Sequence, residues 1–218
     1  MLVADRVQSH LRLIYPREDA AALTARVLDA VGIPHDRRIA DPVSLWDERD
    51  AVLISYGDTI TSDGEAPLAT LRRFVSERLD GCCTVVHVLP LFPFSSDDGF
   101  SIVDYHAVRD DLGDWDDVAA LAKAPGLMLD LVLNHCSAGS VWFEQFVRAE
   151  EPGRSYFVTA DPDDDLSAVV RPRALPLLRP TETAAGERHV WCTFSHDQVD
   201  LDWANPDLLC EMLGVLRR

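Results

Sequence analysis

A carboxylate, an amide and an imidazole accompany an apolar run near the middle of the chain. Residues 126–135, with the sequence GLMLDLVLNH, follow a proline and predict a short strand buried on both faces, as in a parallel sheet covered by helices. Ligands collect at the carboxyl ends of such strands, where Asp130, Asn134 and His135 would lie. A structural interpretation is also open, because buried polar groups need partners and Asp130 could simply accept bonds from loop amides.

A second group of candidate residues lies in the loop over residues 90–105, which mixes aromatic rings with carboxylates. Rings stack on the apolar face of a sugar, and carboxylates accept hydrogen bonds from neighbouring hydroxyls. The alternative is a solvated acidic turn at Asp97-Asp98-Gly99. Together with the polar residues after the neighbouring strand, the loop favours a sugar site.

Strand and helix patterns alternate through this part of the chain. Buried strands are predicted over 51–57, 83–89 and 126–135, and amphipathic helices over 67–79 and 114–123. Strands that alternate with helices pair in parallel through right-handed crossovers. The pattern therefore predicts an α/β fold, either a barrel or a doubly wound sheet.

The flanking segments differ from this pattern. Residues 5–31 predict two short helices that pack on the outside of the strand and helix units after them. The long segment 136–196 shows one helix-like stretch, over 141–149, and a loop of this length is usually a functional insertion. A last helix is predicted to begin at Asn205-Pro206.

Composition excludes several classes of protein. The 218 residues carry a net charge of −17, which argues against binding to nucleic acid or anionic membranes. Neither a signal peptide nor a membrane span is visible, so a cytoplasmic protein is expected. The five cysteines form no CxxC pair and predict free thiols. The histidines show no paired metal spacing and there is no nucleotide-binding motif, so neither a metal nor a cofactor is predicted.

Several segments resemble the α-amylase superfamily, glycoside hydrolase family 13. DLVLNH at 130–135 resembles the family's strand-three motif, and QVDLDW at 198–203 resembles a later segment. The wider context at 87–100, 112–117 and 170–176 is similar to the branch of sucrose phosphorylases and their glucosylglycerate and glucosylglycerol relatives. The resemblance covers roughly residues 50 to 218 and keeps the order of the family's motifs.

The resemblance implies the N-terminal part of a (β/α)8 TIM barrel, with about three strands and a subdomain inserted after strand three. Residues 1–49 would form a helical leader and 50–135 the first three β/α units. Residues 136–197 would form the inserted subdomain, and 198–218 would return to the barrel and the helix before strand four.

The resemblance also implies an activity and roles for particular residues. A retaining phosphorylase transfers a glucosyl unit from an α-glucoside to inorganic phosphate, a co-substrate, and yields α-glucose 1-phosphate. Asp97 and His135 would bind hydroxyls of the glucosyl unit, and Phe100 would form an apolar platform. Asp130 and Asn134 would support the site structurally.

Arg173 matches a loop arginine that holds phosphate or the acceptor in these phosphorylases. A guanidinium group can clamp phosphate through two contacts. The alternative is a surface arginine in a mobile loop.

The sequence also departs from the family. The nucleophilic aspartate, the acid/base glutamate and a third aspartate belong to strands four, five and seven, so none is expected in this chain, and Asp200 and Asp202 do not match them. We therefore expect an inactive N-terminal fragment of a phosphorylase with a possible missing C-terminal half. A hydrolase of the same superfamily and a non-catalytic sugar-binding fragment remain alternatives.

Overall fold

The computed structural model describes residues 1–39, 46–123, 125–171 and 174–218. Its helices are α1 (Val3–Ile14), α2 (Ala20–Val31), α3 (Pro67–Arg78), α4 (Trp115–Leu121), α5 (Val141–Arg148) and α6 (Pro206–Leu216). Its strands are β1 (Val52–Tyr56), β2 (Val85–Leu89), β3 (Gly126–Leu129), β4 (His135–Ser137), β5 (Leu178–Thr183), β6 (Gly186–Trp191) and β7 (Gln198–Asp200). No helix in these ranges is both long enough and apolar enough to cross a membrane.

A three-stranded parallel sheet forms the centre, in the order β1-β2-β3. The helix α3 connects β1 to β2, and α4 connects β2 to β3. Val86 and Val88 of β2 are buried in one core with Leu68 and Leu71 of α3. The predicted alternation of parallel strands and helices is confirmed, and it places the ends of β2 and β3 at one edge of the sheet.

The prediction that the strands are buried on both faces was wrong. Ile54, His87 and Met128 are register partners across the sheet, and Ile54 is 66% exposed and Met128 44% exposed. Alternate residues of a strand point to opposite faces, and the helices cover only the other face of this sheet. The third strand is also shorter than predicted, because β3 ends at Leu129 and His135 begins a new strand, β4.

The segment after β4 contains more regular structure than the single helix predicted for it. The strands β5 and β6 form an antiparallel hairpin, and β4 pairs with β7 in antiparallel register. Gly186 opens β6 with φ of +101°, a conformation that glycine adopts without strain. The β-branched residues around this glycine were the available signal for the hairpin. The predicted domain boundaries stay a prediction.

Helices α1 and α2 pack beside the last helix. The Tyr15 hydroxyl donates to the Trp203 carbonyl at 2.9 Å, and Arg26 of α2 forms an ion pair with Asp207 of α6. Arg217 donates to the carbonyl of Asp29 at 3.2 Å. The two leader helices were predicted to pack on the outside of the units that follow them. The structure identifies α6 and the residues beside it as the part of the chain that they contact.

Replacing Asp114 by alanine is expected to lower the free energy of unfolding by about 1 kcal/mol. Its Oδ1 accepts from the amides of Asp116 and Asp117, and its own amide donates to the Asp117 carboxylate. Urea unfolding measures the loss. Asp116→Ala is the control, because it removes a charge from the first turn of α4 and no cap bond. Equal losses in the two variants would contradict the capping role.

Candidate functional site

The loop after β2 contains a short left-handed turn. Asp97 and Asp98 have φ of +56° and +51°, and Gly99 has φ of +107°. Residues other than glycine rarely adopt such angles, and when they do they often lie at ligand sites. A Cβ on Gly99 would lie 2.1 Å from the Cβ of Pro90, so only glycine fits here. The turn presents Asp97 and Phe100 at the surface, and Phe100 is 43% exposed.

His135 lies beneath this turn and is only 5% exposed. Its Nε2 lies 2.9 Å from the carbonyl oxygen of Phe100, which can only accept, so Nε2 carries the proton. The Nδ1 atom lies 3.4 Å from the side-chain nitrogen of Asn134. The ring of Phe194 meets the imidazole edge-on, with 5.1 Å between ring centroids.

Burial lowers the pKa of His135, although the Phe100 carbonyl and the carboxylates of Asp200 and Asp97 act in the opposite direction. The pKa therefore lies below its ordinary value of about 6.5. At neutral pH the imidazole is uncharged, with a donor at Nε2 and an acceptor at Nδ1.

Gln198 is a residue of this site for which no role was predicted. Its Nε2 donates to Asp97 Oδ2 at 2.8 Å and lies 3.1 Å from His135 Nε2. The side chain is 1% exposed, and β7 holds it beside β4. The signal was its position at the start of the QVDLDW segment. The side-chain nitrogen of Gln198 and Nε2 of His135 both carry protons, so the approach to His135 is a contact and not a hydrogen bond; Gln198 holds the Asp97 turn by its bond to Oδ2 and packs against the histidine.

The two predicted supporting residues occupy different positions. Asp130 directly follows β3, and its Oδ1 lies 3.2 Å from Nε2 of His87 on β2. Asp130 and Phe100 line one narrow cavity, so the turn and the end of β3 are neighbours. Asn134 is exposed next to His135. Arg173 lies outside the described residues.

Tyr105 holds the backbone that carries His135. Its hydroxyl lies 2.8 Å from the Val132 carbonyl oxygen and 3.0 Å from that of His135. Its ring stacks on Trp142 of α5, and burial raises its pKa well above the usual value. Tyr105 therefore stays a neutral donor and fixes the chain between β3 and β4.

The carboxylates near the histidine are engaged in structural hydrogen bonds. Asp200 accepts from the Thr193 amide at 3.0 Å and from the Thr193 hydroxyl at 2.5 Å. Asp202 accepts from the amide of Ala204 before α6. Both carboxylates therefore serve the local backbone and side chains.

Two larger grooves lie apart from this site. One, of about 740 Å³, is lined by α1 and residues 32–39, and the other, of about 800 Å³, lies beside Trp115 and Leu127. Neither is lined by Asp97, Phe100 or His135. In the described ranges, no group of three or more histidine, cysteine, aspartate or glutamate residues is arranged to hold a metal ion.

The family model for the catalytic domain of α-amylase matches residues 80–218. This chain therefore belongs to the α-amylase family, and its three parallel strands form part of the family's barrel, as predicted.

Individual relatives point to one branch of the family. The chain is 46% identical over 210 residues to glucosylglycerate phosphorylase of Allomeiothermus silvanus. This alignment covers 96% of this chain and 37% of the relative. It is 34% identical over 162 residues to sucrose phosphorylase of Bifidobacterium adolescentis, covering 69% of this chain and 31% of the relative. The crystal structure of sucrose 6F-phosphate phosphorylase from Thermoanaerobacter thermosaccharolyticum superimposes with a TM-score of 0.67 at 26% identity, covering 79% of this chain and 38% of that chain. The chain thus spans about a third of the length of these relatives, and its predicted resemblance to the phosphorylase branch is confirmed.

Proposed function

We propose that this chain provides the glucosyl-binding part of a retaining phosphorylase. The reaction is transfer of a glucosyl unit from an α-glucoside of the sucrose or glucosylglycerate type to inorganic phosphate, which yields α-glucose 1-phosphate. The observation that carries the proposal is the convergence of Asp97, Phe100 and His135 beyond the carboxyl ends of β2 and β3, where His135 donates to the Phe100 carbonyl and Gln198 donates to Asp97. The similarity to phosphorylases named for these substrates supports the substrate class.

Each residue has a group suited to binding a sugar. Gln198 donates a hydrogen bond to Asp97 Oδ2. Asp97 Oδ1 accepts no hydrogen bond within the described residues and can accept one from a sugar hydroxyl. The neutral imidazole of His135 has its Nε2 engaged by the Phe100 carbonyl and offers Nδ1 as an acceptor, and the exposed ring of Phe100 offers an apolar face. Asp130 and Asn134 would hold the surrounding loops.

The chemistry of a retaining enzyme needs two carboxyl groups about 5 Å apart, one as nucleophile and one as acid/base. Asp200 and Asp202 accept hydrogen bonds from nearby residues of the chain, which supports the view that neither takes these roles. We therefore propose that the chain binds the glucosyl unit and has no turnover of its own. Arg173 would bind phosphate or the acceptor, and no cofactor would be needed.

The place of action that we propose is the cytoplasm. All five cysteines are free thiols, which is usual in a reducing compartment.

The test combines binding with turnover on the purified chain. Sucrose and glucosylglycerate are each added with phosphate, glucose 1-phosphate and free glucose are assayed, and sugar binding is followed by ligand-observed NMR. We expect binding without turnover, and loss of binding in Asp97→Ala but not in the control Asp165→Ala, which changes an exposed aspartate in another loop.

Each other outcome would contradict part of the proposal. Formation of glucose 1-phosphate would mean that an aspartate of this chain is catalytic. Release of glucose without use of phosphate would indicate a hydrolase. Absence of sugar binding in the unsubstituted chain would refute the glucosyl subsite itself.

A further inference from the structure

Asp197 lies directly before β7 and accepts hydrogen bonds from hydroxyl groups on both sides of the Asp97 turn. Its Oδ2 accepts from Ser95 at 2.6 Å, from Ser96 at 2.5 Å and from Ser101 at 2.8 Å. Ser95 and Ser96 precede the turn, and Ser101 follows Phe100. One carboxylate therefore closes the base of the loop over residues 95–101.

A fourth serine connects this cluster to the strand of His135. Ser137 of β4 is fully buried, and its Oγ accepts from the Gly139 amide at 2.8 Å. Ser137 Oγ also lies 2.6 Å from Ser95 Oγ. Because the single proton of Ser95 goes to Asp197, Ser137 donates its own proton to Ser95. The chain of bonds runs from β4 through Ser95 to the carboxylate.

The loop needs such an anchor because its conformation is unfavourable. Asp97 and Asp98 both occupy the left-handed region, which costs free energy for a residue with a Cβ and persists only where the surroundings enforce it. Hydrogen bonds to an ionised acceptor are the stronger kind, so three of them on Asp197 can offset this cost. The next residue along the chain, Gln198, then holds the Asp97 carboxylate.

The charge state of Asp197 agrees with this arrangement. Partial burial raises its pKa, but the bonds from the three serines and the nearby Arg179 outweigh that effect and lower the pKa below its usual value. The carboxylate is therefore ionised at neutral pH and acts as an acceptor for all three hydroxyls.

We propose that Asp197 is a positioning residue, which holds the loop over 95–101 in its left-handed form so that Asp97 and Phe100 face the glucosyl unit. Asp197 acts through the three serines and does not touch the sugar. This inference rests on the proposed function for its sugar-binding consequence, whereas the anchoring of the loop is independent of any activity.

The test compares Asp197→Asn with Asp165→Asn in the full chain. Asp165 accepts from the Ser167 amide in an exposed turn elsewhere, so the control makes the same chemical change away from the loop. Hydrogen exchange of the Ser95, Phe100 and Ser101 amides, each of which donates to a carbonyl within the loop, reports the loop. NMR titration reports affinity for sucrose or glucosylglycerate, and the thermal midpoint reports the whole fold.

In Asp197→Asn we expect loop exchange to accelerate and sugar affinity to fall about tenfold each, the effect of losing one hydrogen bond to a charged group. The thermal midpoint should shift by less than about 4 °C, and the control should leave loop exchange and affinity unchanged. Ser96→Ala keeps the charge of Asp197 and removes one donor, so it should give a smaller change in the same direction. It provides the test of the loop anchor if Asp197→Asn does not fold.

The outcomes separate this inference from the proposed function. Unchanged loop exchange in Asp197→Asn and Ser96→Ala would overturn the positioning role, as would a loosened loop with full sugar affinity. If the unsubstituted chain binds neither sugar, the proposed function fails and with it the sugar-binding half of this inference, while hydrogen exchange still decides whether Asp197 anchors the loop.

Discussion

Gly99→Ala is expected to abolish binding of glucosides and to lower the free energy of unfolding by about 3 kcal/mol. The added Cβ would lie 2.1 Å from the Cβ of Pro90, and that proline ring belongs to the start of the same loop. The backbone φ of +107° is also unfavourable for alanine. The atoms of Pro90 belong to a rigid ring and cannot swing away, so the turn must move and displace Asp97 and Phe100.

Gly186→Ala is the matched control for this variant. Gly186 has φ of +101°, close to that of Gly99, but nothing lies within 4 Å of the position of its Cβ. The control therefore carries the backbone strain without the collision and should lose about 1 kcal/mol. Chemical unfolding and sugar titration measure both variants. Equal losses of stability, or normal sugar binding in Gly99→Ala, would refute the collision with Pro90.

His135→Ala is expected to abolish sugar binding and to cost about 3 kcal/mol of unfolding free energy. The substitution leaves a cavity beside Phe194 and removes the donor to the carbonyl of Phe100. His10→Ala is the control, because His10 is exposed on α1 and does not contact the loop. Sugar binding that survives in His135→Ala would exclude the imidazole from the subsite.

The same variant should alter the dependence of stability on pH. The native pKa of His135 is lowered by burial, so between that pKa and the ordinary value of about 6.5 the unfolded chain takes up a proton that the native chain does not. The contribution of His135 to stability is complete above pH 6.5 and declines as pH falls through this window. Urea unfolding at pH 7.5 and 5.5 should show a steeper decline in the unsubstituted chain than in His135→Ala. Parallel declines would contradict the lowered pKa.

Local signals in the sequence predicted most of the helices and the positions of the parallel strands. The capping residues Asp114 and Asn205 mark the starts of α4 and α6, and the proline that begins α3 lies at its first turn, as expected. These features depend on interactions within a few residues, which the order of amino acids specifies directly.

Features that depend on distant contacts were missed. An apolar strand such as β1 has the same sequence pattern whether one or both of its faces are covered, so the exposure of Ile54 could not be predicted. Gln198 and Asp97 are 101 residues apart, as are Asp197 and Ser96, and no local pattern pairs them. The resemblance supplied Asp97, Phe100 and His135 as candidates, and their roles, like that of Arg173, remain predictions.

The packing of α2 against α6 has a consequence for the order of folding. Arg26 pairs with Asp207 and Arg217 with the backbone of Asp29, so these contacts close loops of 181 and 188 residues. Loop-closure entropy makes such contacts unfavourable until the intervening chain has condensed. We infer that the parallel sheet and the β4–β7 pair form first and that the two leader helices dock last. Their docking energy would then slow unfolding and leave the folding rate nearly unchanged.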